Sequence, residues 1–260
     1  GEILLAQHGE GWQIPCCEEP PVKSTRRRQP LPAVDGMECV GIDVDSPVTG
    51  VEGMMMFPLR KTFEILPPAH YALAGKAVEL AWFDQQSRFC GVCGAPMRWH
   101  TDISKHCTEC GKELWPQVAT AIIVRVERGD EILLVRARNF RGDFYGLVAG
   151  FVETGETLED CVRREVREET GLEIEDIQYF GSQSWPYPSG LMVGFTAKYK
   201  SGELRLQRAE LASGGWFNRS NLPHIPDKAS IARRLIDDWL AAPPLESPQS
   251  ALDNRQSTIE

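Results

Sequence analysis

Residues 150 to 172, GFVETGETLEDCVRREVREETGL, constrain this chain more than any other segment, because they join a helix to a fixed array of charge. The helix is expected to begin near Thr157, where Thr157 and Asp160 have capping-box spacing. At about 100° per residue, Leu158, Val162 and Val166 fall on one apolar stripe. Glu165, Glu168 and Glu169 take the sector beside that stripe, Arg163 and Arg167 point away, and Arg164 sits one turn before Glu168. Three carboxylates therefore crowd at the margin of a core. Like charges this close raise one another's pKa unless something positive sits among them. An all-oxygen cluster suits a hard divalent cation, Mg2+ or Mn2+, which would also bridge to phosphate groups. Gly150 and Gly155 frame the preceding loop and Gly171 ends the helix, where backbone turns sharply or approaches a ligand. The competing reading is a solvated acidic helix laced with Glu and Arg pairs.

Eight cysteines are present, and four carry a pattern. Cys90 with Cys93 and Cys107 with Cys110 form two CxxC pairs at zinc-ribbon spacing, in the knuckle-like turns FCGVCG and HCTECG. Four thiolates close a tetrahedral shell, so one Zn2+ here would be structural. His100 and His106 are nearby rival ligands, and disulfides are the alternative in an oxidising compartment. Cys16, Cys17, Cys39 and Cys161 read as unpaired thiols.

With 260 residues the chain allows one to two domains and a sizeable core. The run GEILLAQHGEGW carries an acidic residue where a signal peptide would be basic, and no apolar stretch approaches the ~18 residues needed to cross a membrane. A cytoplasmic protein without membrane contact is expected. A net charge of -9 argues against broad nonspecific binding of nucleic acid. A polyanionic ligand must be met locally, and the one dense basic run, Lys23 to Arg28 in a Pro-rich stretch, reads as a solvated loop.

Residues 1–86 read as a separate module, with strands at Glu2 to Ala6 and Cys39 to Val44 and a helix from Ala69 to about Gln86. The ribbon follows over 87–115. A mixed α/β sandwich over 116–243 should carry the acidic helix, strands near Ala119 to Glu127, Glu131 to Arg138, Glu175 to Gln183 and Met192 to Tyr199, and a last helix from Ile231 to Leu240. The tail, 244–260, reads as flexible. GEILLAQ at Gly1 to Gln7 echoes DEILLVR at Asp130 to Arg136, hinting that the first module is a degenerate copy of the second.

The run at 150–172 fits the Nudix box, GX5EX7REUXEEXGU, at Gly150, Glu156, Arg164, Glu165, Val166, Glu168, Glu169, Gly171 and Leu172. A second array, SQSWPYPSG at Ser182 to Gly190, is similar to the SQPWPFPxS motif of the NADH pyrophosphatase subfamily, with Ser184, Tyr187 and Gly190 departing from it. Together with the ribbon, the chain resembles that subfamily over almost its whole length. The resemblance implies a Nudix-fold sandwich, a zinc ribbon and a rudimentary Nudix-like N-terminal domain. It implies metal-dependent cleavage of NAD(H) to NMN(H) and AMP, removal of the NAD cap from RNA 5′ ends, and a homodimer. Two or more Mg2+ or Mn2+ ions would be held by Glu165, Glu168, Glu169, Glu210 and the carbonyl of Ala149, with Glu169, Glu168 or Glu165 acting in catalysis. Substrate contacts would fall to Arg60, Trp115, Phe151, Gln183, Trp185, Tyr187, Ser189 and Ala232. Other Nudix specificities, such as ADP-ribose or dinucleoside polyphosphates, a noncatalytic nucleotide sensor and a zinc-ribbon nucleic-acid binder remain as rivals.

Overall fold

The computed structural model describes residues 1–24, 26–139 and 142–243; the expected tail lies outside the described residues. Two compact units emerge, Gly1–Ala119 with Ser184–Leu191, and Thr120–Gln183 with the described residues from Met192 onward.

In the first unit, β1 (Glu2–His8) is the middle strand of a sheet with β2 (Gly11–Gln13) on one side and β5 (Met54–Pro58) on the other. Between them in sequence, β3 (Arg28–Val34) and β4 (Met37–Ile42) form a hairpin of their own. Pro30 and Pro32 lie inside β3, directly after the basic run expected to be loop. A two-stranded ribbon tolerates them because every strand in it is an edge. Helix α1 (Pro68–Gln86) opens on two prolines, whose missing N–H groups cost nothing in a first turn. The basic run is not solvated as expected: Arg26 binds Asp43 and Asp45, and Arg27 binds Asp102 at 2.9 Å while lying 4.4 Å over the Trp99 ring.

Three short strands, β6 (Met97–Trp99), β7 (Lys105–Cys107) and β8 (Glu113–Leu114), make the ribbon. It groups with the N-terminal module, and the cause is visible in Lys105. That side chain is buried, and its Nζ donates to the Asp84 and Ser87 carbonyls at 3.0 and 3.2 Å and pairs with the Asp84 carboxylate at 2.5 Å. A cation at the C-terminal end of α1 satisfies carbonyls the helix leaves open.

The second unit holds the six-stranded sheet, ordered β12 (Glu173–Trp185), β13 (Gly190–Ser201), β9 (Ala119–Arg128), β10 (Glu131–Ala137), β14 (Leu211–Asn218), with β11 (Val148–Phe151) also on β9. β9 and β10 pair only at their turn, through Glu131 with Arg128 and Ile132 with Glu127, and further along β10 pairs with β14. That divergence leaves room for β11 on β9. Alternate residues of a strand face opposite ways. Ile123 and Ala149, paired across β9 and β11, pack with α3 (Ile231–Ala241), whereas Gly150, paired with Ile122, faces Glu165 of α2 (Leu158–Thr170). The two helices therefore cover opposite faces of the sheet, the expected mixed α/β sandwich. The two segments that echo each other in sequence lie in β1 and β10, where Leu5 and Leu134 are both fully buried in inner strands.

Candidate active site

Helix α2 starts as expected, with Thr157 Oγ1 accepting from the Asp160 N–H at 3.1 Å, and it ends at Gly171 with φ 72°. Val162 and Val166 are fully buried. That stripe fixes the rotation of the helix and sets Glu165 and Glu169 at the core margin, 9% and 6% exposed, with Glu168 facing solvent. Cys161 is also buried and directs its thiol at the Phe151 carbonyl, 3.5 Å away.

Arg164 organises the loop before the helix. It binds Glu156 at 2.6 and 3.0 Å, the Phe151 carbonyl at 3.0 Å, Glu165 at 2.8 Å and Glu168 at 3.1 Å. Glu156 is held down at about 2 by that guanidinium and the Glu153 N–H. Glu169 has no such partner among its causes of shift: burial first, then Glu165, Glu210 and Glu168, push it up to about 8. Glu165 is raised as well, burial outweighing Arg164. The glutamates thus sense one another electrostatically, which is the condition under which a divalent cation is bound well.

Gly150 is required by that arrangement. A Cβ there would lie 1.9 Å from the carboxyl of Glu165, so the strand and the helix carboxylate can meet only across a glycine. One cleft of about 370 Å³ gathers Ala149, Glu169 and Glu210, with Arg138 and Asn139 on its rim and Val135, Leu147 and Leu211 on its floor. Glu210 is positioned by the turn before β14, where its N–H donates to Gln207 O at 3.1 Å and its carbonyl accepts from Arg138 N–H at 2.7 Å. Arg138 and Asn139 were missed in the sequence, where Arg138 read merely as the end of a strand and Asn139 lay beyond it. The linkage of Glu156 to Arg164 was also missed, although both are fixed positions of the box.

Of the expected substrate contacts, those in the first unit form two groups. Arg60 lies 5.3 Å over the Trp185 ring, and Trp185 meets Tyr187 edge to face at 5.1 Å. Ser189 Oγ donates to Gln117 O at 3.0 Å, and Gln117 Nε2 donates to the carbonyl of the exposed Trp115 at 3.1 Å. In the second unit Phe151 is 65% exposed, whereas Ala232 is buried in the cluster around α3. Gln183 is already engaged: its Nε2 donates to Ala229 O at 2.9 Å and its Oε1 accepts from Ile231 N–H at 2.7 Å, joining β12 to the start of α3.

The four ribbon cysteines are the group whose ligand atoms all lie within 4.8 Å of one another among the described residues; the box glutamates do not close to that distance. Sγ atoms of Cys93 and Cys107 are 3.4 Å apart and those of Cys90 and Cys110 3.7 Å. Backbone N–H groups of Val92, Glu109 and Cys110 donate to sulfur, and such donors hold Cys107 down at about 6. This donor set is compatible with structural zinc. Four sulfurs suffice; His100 and His106 instead meet each other edge to face at 5.2 Å.

Residues 115–239 match the model of the NUDIX domain. A Deinococcus radiodurans protein called NAD-capped RNA hydrolase NudC is 43% identical over 202 residues, covering 75% of this chain and 72% of its own length. Proteins of the same name from Stutzerimonas stutzeri and Pseudomonas aeruginosa PAO1 are 41% identical over 82% of the chain and 38% identical over 92%, covering 77% and 78% of their own lengths. The chain belongs to the NUDIX hydrolases, in the NudC branch. A crystal structure of a NUDIX hydrolase from Nitrosomonas europaea has a TM-score of 0.51 at 21% identity, over 61% of this chain and 96% of that one, which shows the shared fold. Members of the NUDIX hydrolases act with divalent metals, and the box carboxylates offer the hard oxygen donors such ions need. Among the described residues, no helix is long and apolar enough to cross a membrane.

Proposed function

We propose that this NUDIX protein hydrolyses the diphosphate of NAD(H) to NMN(H) and AMP, and removes the NAD moiety from RNA 5′ ends. The observation that carries the hydrolytic half is the cleft that puts Ala149, Glu169 and Glu210 together beside the box helix. The nicotinamide half is supported by the aromatic pair Trp185 and Tyr187 under Arg60, and by relatives called NAD-capped RNA hydrolase.

Glu165, Glu168, Glu169, Glu210 and the Ala149 carbonyl would hold the divalent ions, Mg2+ or Mn2+, two or more. Bound there, such ions would neutralise the diphosphate and make an attacking water more acidic. Burial and the neighbouring carboxylates push Glu169 up to about 8, so it is the positive charge of bound ions that would hold it as a carboxylate, able to bind metal or accept a proton from water. Arg164 holds Glu165 and Glu168 in place, and Arg138 on the cleft rim supplies a positive charge for a phosphate oxygen. The further substrate contacts that the family resemblance implies would be Trp115 and Ser189 in the first unit and Phe151, Gln183 and Ala232 in the second. The ribbon would carry one structural Zn2+, and the protein would act as a cytoplasmic homodimer.

Comparing kcat/KM for NADH, NAD+, ADP-ribose, diadenosine polyphosphates and NAD-capped RNA under Mg2+ and under Mn2+ tests the proposal. NADH, NAD+ or the capped RNA should stand among the best substrates, with NMN(H) as a product. A clear preference for ADP-ribose would sink it.

A further inference from the structure

The turn at the tip of the β12 and β13 hairpin is gripped by one face of α1. Tyr71, Gly75 and Glu79 follow at every fourth residue and so share that face. Tyr71 Oη lies 2.5 Å from Tyr187 Oη. Pro186 is buried against bare helix backbone, since a Cβ on Gly75 would come within 3.2 Å of its ring. The Gly190 N–H faces the carboxyl of half-buried Glu79 and favours its charged form. Gly190 itself is closely packed: a Cβ would stand 3.2 Å from the Trp185 carbonyl oxygen and 3.3 Å from that of Ala119, both backbone atoms that would have to shift by a few tenths of an ångström. Phe63 braces Tyr71 edge to face at 5.3 Å.

Two of the three departures from the family array thereby acquire partners. Tyr187 stands where the array has Phe, and its hydroxyl meets Tyr71. Gly190 stands where the array has Ser, and two backbone carbonyl oxygens beside it would each have to yield slightly to admit a Cβ.

We propose that Tyr71, Gly75 and Glu79 are positioning residues that fix the place of Trp185 and Tyr187, so that helix α1 governs how this aromatic pair is presented to a dinucleotide. This rests on the proposed NAD(H) activity for its substrate, but the grip itself can be read without any substrate.

The test compares the full-length protein with Tyr71→Phe, Tyr187→Phe, the double variant, Glu79→Ala and Glu79→Gln. Hydrogen exchange over the peptide containing 185–190 should be faster in Tyr71→Phe and Glu79→Ala, with exchange in α2 unchanged. Unchanged exchange at the turn overturns the proposal whatever the substrate proves to be. With NADH, Tyr71→Phe should raise KM by about 5- to 10-fold, the loss of roughly one hydrogen bond, with kcat within about twofold. Tyr187→Phe should match it, and the double variant should add nothing, because one pair is broken in each case. Glu79→Gln, which keeps an acceptor oxygen, should restore what Glu79→Ala loses. Equal losses of kcat/KM on NADH and on ADP-ribose together with a lowered Tm would mark a structural role only and overturn the assignment. If the wild-type protein does not turn over NADH, the activity proposal falls, and the exchange result alone decides whether α1 holds the turn.

Discussion

Glu169 shows how a single carboxyl can be costly to the fold and useful to the chemistry. Its pKa of about 8 in the folded protein exceeds the ordinary 4.5, so its contribution to stability is complete below about pH 4.5 and drains away as pH rises through 8. In chelator at pH 8, Glu169→Gln is expected to raise the unfolding free energy by on the order of 1 kcal/mol or more, and with it Tm, above wild type; the gap should close near pH 4.5, and the same variant should lose most of its turnover. Thermal melts across that range, paired with initial rates, check both. Gly150 makes the complementary case. In Gly150→Ala the new methyl displaces the Glu165 carboxyl, a movable group, so Tm should change little while kcat falls on the order of 100-fold from misplacement. A collapse in Tm instead would mean the strand backbone had yielded first.

At the scale of elements, the loop from Phe151 to Thr157 depends on Arg164 for its shape. Glu156, held at about 2 in the fold, contributes stability above pH 4.5 that is lost as pH falls toward 2. Glu156→Gln should therefore melt lower than wild type at pH 7 and converge with it at low pH, as calorimetry in an acid series would show. For the ribbon, Cys107→Ser is expected to drop zinc content well below one per chain by elemental analysis, with loss of the protection around Lys105. These elements were legible to different degrees. Box helix, ribbon and last helix could be read because capping, periodicity and CxxC spacing are local signals. What escaped was set by distant partners: β3 carries Pro30 and Pro32 because β4 alone pairs with it, Arg26 and Arg27 are neutralised by aspartates 17 to 75 residues away, and Gln183 bonds 46 and 48 residues ahead. Within the site, the box named its glutamates but gave no sign of Arg138 or Asn139, which reach the cleft only because β10 ends beside the turn at Glu210.

Across the whole molecule, the unit boundaries cut through the hairpin of β12 and β13, leaving Ser184–Leu191 with the N-terminal module and the ribbon. A fragment beginning at Thr120 lacks Tyr71, Gly75 and Glu79, so limited proteolysis should nick it near Tyr187 under conditions where the full chain stays intact. Survival of that turn in the fragment would mean the hairpin needs no support. The same partition governs the order of assembly at the ribosome. Because its last eight residues lie more than sixty positions downstream of Ala119, the first unit emerges incomplete, and it must wait while the box helix is synthesised. Translation speed between 120 and 191 therefore sets how long the α1 face stays uncovered on the growing chain.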